Sequence, residues 1–248
     1  MTSVRRLLAL LLVPVFVAGC GGDEAVREQP LTDEQLVLMS SVFLNNHTDK
    51  GAVFTLTTVD VPGGRTITLD GQVDWVNHQG YATVTGGSVP HPVTQVVWGQ
   101  NLVAERRPSA AAILEKQMGR PIEFVVRPVD TEHRRLDAII ATLTAMSMKT
   151  PENVQILRQK EGSAFLREDE LRGTKVLVMR YGARVILWID PETGRLMRFE
   201  GNNSQGTMPI IVDVNKRVVP EIPSPKDEFV ATHDELGGTF LQIAPTSP

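Results

Sequence analysis

The chain has 248 residues, of which 42% are hydrophobic and 22% are charged, and its formal net charge at pH 7 is −4. This length suits one large domain or two small ones, and the apolar fraction is sufficient for a hydrophobic core. The acidic balance argues against nucleic-acid binding, which requires basic patches, and against docking on an anionic lipid surface by charge alone.

The first residues predict a secretory signal peptide, residues 1–19. Arg5 and Arg6 form a basic start, and an apolar run of roughly eleven residues follows. That run is too short to cross a bilayer as a helix, which needs about twenty residues. The tetrapeptide Val17-Ala18-Gly19-Cys20 resembles the bacterial lipobox, in which the thiol is acylated and the preceding bond is then cut. Cleavage would remove two arginines and bring the net charge to about −6.

Cys20 is the only cysteine, so it can form neither an internal disulfide nor a cysteine-based metal site. We therefore predict that Cys20 carries acyl chains, palmitate among them, and anchors the protein to the extracytoplasmic face of the cell membrane. Several acyl chains are needed, because a single one binds only marginally. The alternative is an ordinary signal peptide that happens to contain a cysteine. Residues 20–31 are polar and predict a flexible tether within the cell envelope.

A domain is predicted over residues 32–245, beginning with a helix at 33–46. Thr32 and Gln35 have the spacing of a capping box. Four apolar residues recur at helical spacing: Leu36, Met39, Val42 and Phe43.

The next segment predicts successive strands with short turns. Residues 52–61 are rich in threonine and β-branched side chains, and the following strand alternates apolar with polar residues as far as Trp75. This alternation is typical of an antiparallel sheet with one apolar face. Further strands are predicted at 81–85, 94–98 and 102–107. Their direct succession favours a meander over β-α-β units.

The middle of the chain predicts helices. Residues 131–148 form an amphipathic helix, and a shorter helix begins at Pro151 and ends near residue 158. The apolar stripe of the first helix consists of Leu136, Ile139, Ile140, Leu143 and Met146. Its opposite, polar face consists of Glu132, Arg134, Arg135 and Asp137.

Strands return in the C-terminal half. They are predicted at 163–167, 174–181, 184–189, 195–200 and 208–214. Asp190 to Gly194 has the composition of a type I turn that is closed by a left-handed glycine, which joins two of these strands as a hairpin.

Three stretches resemble the LolA-like lipoproteins of actinobacteria, a superfamily that includes the LolA and LolB carriers and the LprG and LppX lipoproteins. They are Gly71-Gln72-Val73-Asp74-Trp75 with Gly80-Tyr81-Ala82, Arg134-Arg135-Leu136-Asp137 with Pro151-Glu152-Asn153, and Trp188 to Leu196 with Arg198-Phe199. The resemblance covers roughly residues 32–215. It implies an α+β fold, in which a strongly curved antiparallel β half-barrel is closed by α-helices around an apolar hollow that holds acyl chains.

The strand alternation and the helical stripe together define a predicted ligand-binding lining of this hollow. Its residues are Phe54, Leu56, Ile67, Leu69, Val73, Trp75, Trp98, Leu136, Ile139, Ile140, Leu143, Met146, Leu187, Met197, Phe199, Ile210 and Val212. The alternative interpretation is that these side chains interdigitate into a filled core at ordinary packing density.

Catalytic chemistry is not indicated by the sequence. The five histidines are scattered, and none is spaced with a second histidine or a carboxylate as a metal motif requires. The acidic run Glu168-Asp169-Glu170 is interpreted as a charged loop. We therefore expect no enzyme, no cofactor and no metal. The prediction is a lipoprotein that binds a lipid or other hydrophobic ligand for transport or sensing. The alternative is a protein-interaction or envelope-stress sensing module with a filled core and an exported protein partner.

Overall fold

The structure, a computed structural model, describes residues 28–60, 64–86, 92–202 and 209–238. In these residues, one curved sheet of twelve strands is accompanied by five α-helices, an α+β fold as predicted. The strands are β1 Gly51–Asp60, β2 Arg65–Asp74, β3 Gln79–Gly86, β4 Gln95–Trp98, β5 Leu102–Arg106, β6 Phe124–Pro128, β7 Ala164–Leu171, β8 Thr174–Tyr181, β9 Val185–Ile189, β10 Leu196–Asn202, β11 Pro209–Arg217 and β12 Val230–Thr232. The helices are α1 Asp33–Thr48, α2 Ala111–Met118, α3 Arg135–Ala145, α4 Val154–Gln159 and α5 His233–Leu236, with short 3-10 turns at Pro108–Ala110 and Asp227–Phe229.

Two meanders make up the sheet, as the succession of strands predicts. β1 to β6 pair in chain order on one side, β7 to β11 pair in chain order on the other, and β11 lies antiparallel to β1 where the two meet. At this junction Leu56 pairs with Leu69 on one side and with Val212 on the other, so apolar side chains line up across three strands. β12 adds a short parallel strand beside β6.

The helix boundaries follow their caps. Thr32 accepts a hydrogen bond from the backbone of Gln35, whose side chain accepts one from the backbone of Thr32, so the predicted capping box is confirmed. α1 ends at Thr48, two residues later than predicted. α3 is shorter than predicted, and α4 begins after Asn153, whose side chain caps it, instead of at Pro151.

Several elements were not predicted: α2, β6, β12 and α5. They enclose a small second hydrophobic cluster that includes Leu114, Ile122 and Val125. Gly119 ends α2 in the left-handed conformation, with φ of 67°, and this C-terminal glycine is the sequence signal that was overlooked.

The acidic run Glu168-Asp169-Glu170 was wrongly interpreted as a loop. All three residues lie in β7, the strand at one edge of the sheet. The hairpin turn comes later, at Arg172 and Gly173, which both have positive φ. Charges on an edge strand discourage pairing with strands of other molecules, which is a physical reason for finding this run within a strand.

Candidate functional site

Nearly all of the predicted lining residues meet in one hydrophobic cluster, on the side of the sheet that α1, α3 and α4 pack against. We call this side the inner face and the opposite side the outer face. Fourteen of the lining residues are buried members of the cluster, and Ile67 and Leu136 are partly buried against it. α1 adds Leu36, Met39 and Val42, and α4 adds Leu157. The two meanders and three helices therefore share one apolar interior.

The interior is filled at its central positions. Leu56, Leu69, Trp75, Leu143 and Val212 are all 0% exposed. A side chain that borders a space wide enough for water keeps some accessible surface, so protein atoms alone surround these five. This matches the close packing of ordinary protein interiors, which the alternative interpretation of the sequence expected.

Met197 does not belong to the inner face, which corrects its assignment to the lining. It packs on the outer face with Val176, Val178 and Trp188. The reason is a β-bulge: the pairing of β10 with β9 shifts in register between Leu196 and Arg198. Strict alternation from Phe199 would place Met197 inside, but the extra residue gives that place to Leu196.

Asp137 is also placed differently from the prediction, because it faces the interior and is 0% exposed. Its carboxylate accepts hydrogen bonds from Nη1 and Nη2 of Arg127 at 2.6 and 2.7 Å, and from the backbone N–H of Asp130 at 2.6 Å. Helical periodicity places Asp137 one turn from Ile140 on the buried stripe, whereas its charge favours exposure to solvent. A partner on β6 allows the charge to be buried.

Glu105 and Arg107 complete what we call the buried charge cluster, together with Arg127 and Asp137. Glu105 accepts from Nε of Arg127 at 2.9 Å and from Nη2 of Arg107 at 2.7 Å. All four residues are less than 10% exposed. Burial acts to raise the pKa of Glu105, but the charges of Arg107 and Arg127 outweigh it and hold that pKa below its ordinary value. The cluster ties α3 to β5 and β6.

A glycine makes room for the tryptophan of β4. Gly80 pairs with Trp98, and a Cβ atom at Gly80 would collide with the Trp98 indole ring. The ring is 2% exposed and contacts Phe54 edge-on. Its Nε1 is buried and has no hydrogen-bond partner, whereas Nε1 of Trp75 donates to the carbonyl of Leu143 at 3.2 Å. In the stretch Gly80-Tyr81-Ala82, the glycine thus serves to pack Trp98 against the sheet.

Another arginine, Arg217, borders the interior where β11 ends. Arg217 lies over the Trp75 ring at 5.1 Å and donates to Oδ1 of Asn46 at 2.9 Å and to the carbonyl of Leu196. Burial lowers the pKa of Arg217 to about 10, against the opposing effect of Asp49. The sequence does not predict a role for this residue, because its partners Asn46, Trp75 and Leu196 are distant from it in the chain.

A small cavity lies on the outer face, away from every predicted lining residue. Its volume is about 130 Å³, and Tyr81, Val97, Phe124 and the segment from Pro223 to Pro225 line it. Tyr81 and Val97 are cross-strand partners whose neighbours Ala82 and Val96 belong to the inner cluster, so alternation directs this pair outward.

Ser147 and His47 form a serine–histidine contact, with Nδ1 and Oγ 3.3 Å apart. The Ser147 hydroxyl donates its proton to the carbonyl of Trp75 at 2.9 Å. That proton therefore does not point to the imidazole, as a serine nucleophile requires. Within the described residues, no group of three or more histidine, cysteine, aspartate or glutamate side chains could hold a metal ion.

The predicted anchor, Cys20, and the signal peptide lie outside the described residues, as do residues 239–245 of the predicted domain. The end of the predicted tether is described and is held in place: Gln29 exchanges two backbone hydrogen bonds with Phe165 of β7. In the described part of the chain, no helix is both long and apolar enough to cross a membrane.

The chain matches no protein-family model and no curated protein. Among solved structures, an uncharacterized conserved protein from Thermus thermophilus is 10% identical with a TM-score of 0.39, and the match covers 76% of this chain and 94% of that one.

MucB structures are similar at the same distant level. The MucA/MucB complex of Pseudomonas aeruginosa gives 11% identity and a TM-score of 0.34, covering 72% of this chain and 57% of that one. MucB in complex with MucA(peri) gives 13% identity and a TM-score of 0.32, covering 77% and 59%. The chain thus spans less than two thirds of the length of the MucB chains. These TM-scores are too low to carry a functional argument.

Proposed function

We propose that this chain is an exported, non-catalytic lipoprotein of LolA-like architecture, whose apolar interior takes up a lipid or another hydrophobic ligand. The observation that carries the proposal is the single hydrophobic cluster on the inner face, to which both meanders and the helices α1, α3 and α4 contribute. In the proposed architecture, these helices close the curved sheet. Such an interior binds by apolar burial, about 0.8 kcal/mol per methylene, and needs no polar motif.

Because the interior is filled, uptake requires a helix to move, and α3 is the element whose displacement a ligand can compensate. α3 and its C-cap bury four apolar side chains, Ile139, Ile140, Leu143 and Met146. Exposing them would cost about 6–12 kcal/mol, at roughly 1.5–3 kcal/mol each. A ligand with ten methylenes would supply about 8 kcal/mol in return. An acyl chain of this length would therefore offset much of the apolar cost, and a longer chain is needed to offset the polar contacts of α3 as well.

A second candidate function is a protein-interaction module with a permanently filled core. The zero exposure of the central side chains favours it, because the packed interior needs no guest for its stability. The two candidates differ in one measurable respect, which is whether affinity for an acyl chain increases with chain length.

The test uses the chain from Gly21 onward and unbranched fatty acids of four to sixteen carbons. Native mass spectrometry and titration should show affinity rising about fourfold per methylene, which is the equivalent of 0.8 kcal/mol. Organic extraction of the purified protein should also release bound lipid. An affinity independent of chain length, with no extracted lipid, would favour the interaction module. A crosslinking experiment that recovers one dominant protein partner would then support that second candidate.

Two isoleucines provide a matched pair of variants. Ile139 lies in the inner cluster, whereas Ile186 packs on the outer face. Ile139→Ala should open space in the interior and tighten the binding of the longer acids, while Ile186→Ala should leave it unchanged. Equal effects of the two substitutions would contradict binding in the interior.

The anchor is tested separately, by the intact mass of the protein expressed with its signal peptide in a bacterium that processes lipoproteins. Loss of residues 1–19 and addition of acyl chains at Cys20 are expected. Cys20→Ser should abolish both changes, so that the protein keeps residues 1–19 and carries no acyl chain.

A further inference from the structure

Two branched apolar side chains are exposed on the solvent side of a helix pair. Val37 of α1 is 56% exposed and Ile156 of α4 is 60% exposed. Their sequence neighbours Leu36 and Leu157 are buried in the interior. These exposed branched side chains on two adjoining helices give the solvent side of the pair an apolar character that the interior does not require, because the buried neighbours already pack there.

The two helices run antiparallel, which places these side chains at the same level. The backbone N–H of Glu152, just before α4, donates to the carbonyl of Ser40 at 2.9 Å. At the other end, Nη2 of Arg158 lies 2.6 Å from Oδ1 of Asp33. Ile156 is therefore level with the first turns of α1, where Val37 lies. We call this surface the α1–α4 face.

The described chain starts close to this face. Glu28 makes a bidentate ion pair with Arg180 of β8, at 2.5 Å for each bond, and Gln29 bridges to β7. Only Pro30 and Leu31 then separate this attachment from Thr32, the N-cap of α1. The chain thus enters the domain at the end of α1 that Arg158 contacts.

The distance from this entry point to Cys20 is limited. Cys20 precedes Glu28 by eight residues, which span at most about 29 Å when fully extended. A domain of this size has a diameter of roughly 40 Å. A bilayer that holds acyl chains on Cys20 must therefore lie on the side of the domain where α1 begins.

We propose that the α1–α4 face docks on the surface of the lipid bilayer, with Val37 and Ile156 inserted among the acyl chains and headgroups. This inference rests on the acyl anchor of the proposed function. Docking would bring α1, one wall of the apolar interior, against the lipids that serve as ligands. The interior could then exchange a lipid with the bilayer across a short path.

The charges around the face favour a contact that is apolar instead of electrostatic. Asp33 is paired with Arg158, and Nζ of Lys160 lies 3.6 Å from a carboxylate oxygen of Glu152. Because each of these positive charges is paired with a negative one, a negatively charged headgroup does not strengthen binding to this face. Docking is therefore expected on zwitterionic phosphatidylcholine and should change little with salt concentration.

The experiment uses the full acylated chain in phosphatidylcholine vesicles that contain brominated lipids, which quench fluorescence. With Cys20 acylated, a cysteine introduced by Ile156→Cys is the one free thiol and accepts a fluorescent label. The control is Leu102→Cys in β5, near the opposite edge of the sheet, where the leucine is 52% exposed. The label at position 156 should be quenched at least about threefold more than the label at position 102. Equal quenching at the two positions overturns the proposal.

A second measurement tests the docking face independently of whether Cys20 is acylated. The chain from Gly21 onward, which has neither the signal peptide nor an acyl group, is partitioned onto phosphatidylcholine vesicles as it stands and with the pair Val37→Ser and Ile156→Ser. The double substitution should lower the partition coefficient at least about tenfold, whereas Leu102→Ser with Val219→Ser, both exposed elsewhere, should not. Equal coefficients overturn the docking face, even if the mass of Cys20 shows acylation and fatty acids still bind.

Discussion

At the scale of single residues, the unusual feature is a group of four buried charges beside an otherwise apolar interior. Each carboxylate of the buried charge cluster accepts hydrogen bonds from a guanidinium. These hydrogen bonds replace those that the charged groups make with water in the unfolded chain. Such a cluster contributes little net stability over a well-packed apolar core, but breaking it is costly because the remaining charges stay buried. Its consequence here is to fix the position of α3 relative to β6.

The first prediction concerns Asp137. Asp137→Ala leaves Arg127 buried with only part of its hydrogen bonds, so the free energy of unfolding should fall by about 3–5 kcal/mol. Urea denaturation followed by circular dichroism measures this change. Glu168→Ala is the matched control, because Glu168 pairs with Lys175 on the surface and its loss should cost less than about 1 kcal/mol. Similar losses for the two variants would show that the cluster is not buried as described.

The second prediction concerns acid. The pKa of Glu105 in the folded protein lies below the value of 4.5 for the unbound group, despite burial, because Arg107 and Arg127 favour its ionised form. A lowered folded pKa stabilises the protein above pH 4.5, and this contribution is lost as the pH falls through the folded pKa. Asp74, whose pKa is also lowered, should add to the same slope.

The measurement is urea denaturation of the protein and of Glu105→Gln at pH 7, 5, 4 and 3. The difference in unfolding free energy between the two proteins should be constant from pH 7 to 5 and should shrink below pH 4.5. A difference that stays constant down to pH 3 would mean that Glu105 does not titrate as described.

At the scale of elements, local backbone irregularities decide which side chains reach the interior. The bulge in β10 turns Leu196 inward and Met197 outward, although both are apolar and neither is marked by a glycine or proline. The two edges of the sheet also differ: β7 carries four consecutive charged residues, Arg167 to Glu170, while β12 is a short parallel strand. Such features depend on the neighbouring strand that each element meets.

The third prediction tests the bulge. Leu196→Ala should lower the free energy of unfolding by about 2–5 kcal/mol, because it leaves a cavity in the interior, where Leu196 is 0% exposed. Met197→Ala should cost clearly less, since Met197 is only partly buried on the outer face. A larger loss of unfolding free energy for Met197→Ala than for Leu196→Ala would contradict the bulge and support strict alternation along β10.

At the scale of the whole molecule, two meanders and three helices contribute to one apolar interior whose central side chains are fully buried. Both ends of α3 are fixed, by the buried charge cluster at its start and by Asn46, whose Nδ2 donates to the carbonyl of Met146 at 2.7 Å, at its end. Opening the interior must therefore compete with specific polar contacts as well as with apolar burial. The proposed uptake of a ligand would therefore start from a closed form of the protein and pass through a minor open state.

The fourth prediction follows from this closed form. Addition of a saturating sixteen-carbon fatty acid should speed amide hydrogen exchange in α3 by more than about tenfold, while β1, β2 and β11 at the centre of the sheet stay protected. Hydrogen exchange read by mass spectrometry measures both regions at once. Butyric acid, which has too few methylenes to replace the helix, is the control and should leave exchange in α3 unchanged. Slower exchange in α3 with the long acid would contradict displacement of this helix.

Patterns among residues that are close together in the sequence predict much of the architecture. The capping box at Thr32 and Gln35, the turn that Gly194 closes with φ of 65°, and the strand predicted at residues 174–181 all recur in the structure. The predicted lining residues, Met197 excepted, all lie on the inner face, because alternation along a strand and spacing along a helix are properties of the chain itself. Their role as a ligand-binding lining stays a prediction.

Tertiary structure decided what depends on partners that are distant in the chain. Nothing near Asp137 in the sequence indicates that Arg127 would contact it, and without that partner its charge belongs in water. The bulge at Met197 and the filling of the interior are likewise set by neighbouring strands and helices. Sequence periodicity assigns a side chain to a face, whereas the space left on that face depends on how closely the opposing elements approach.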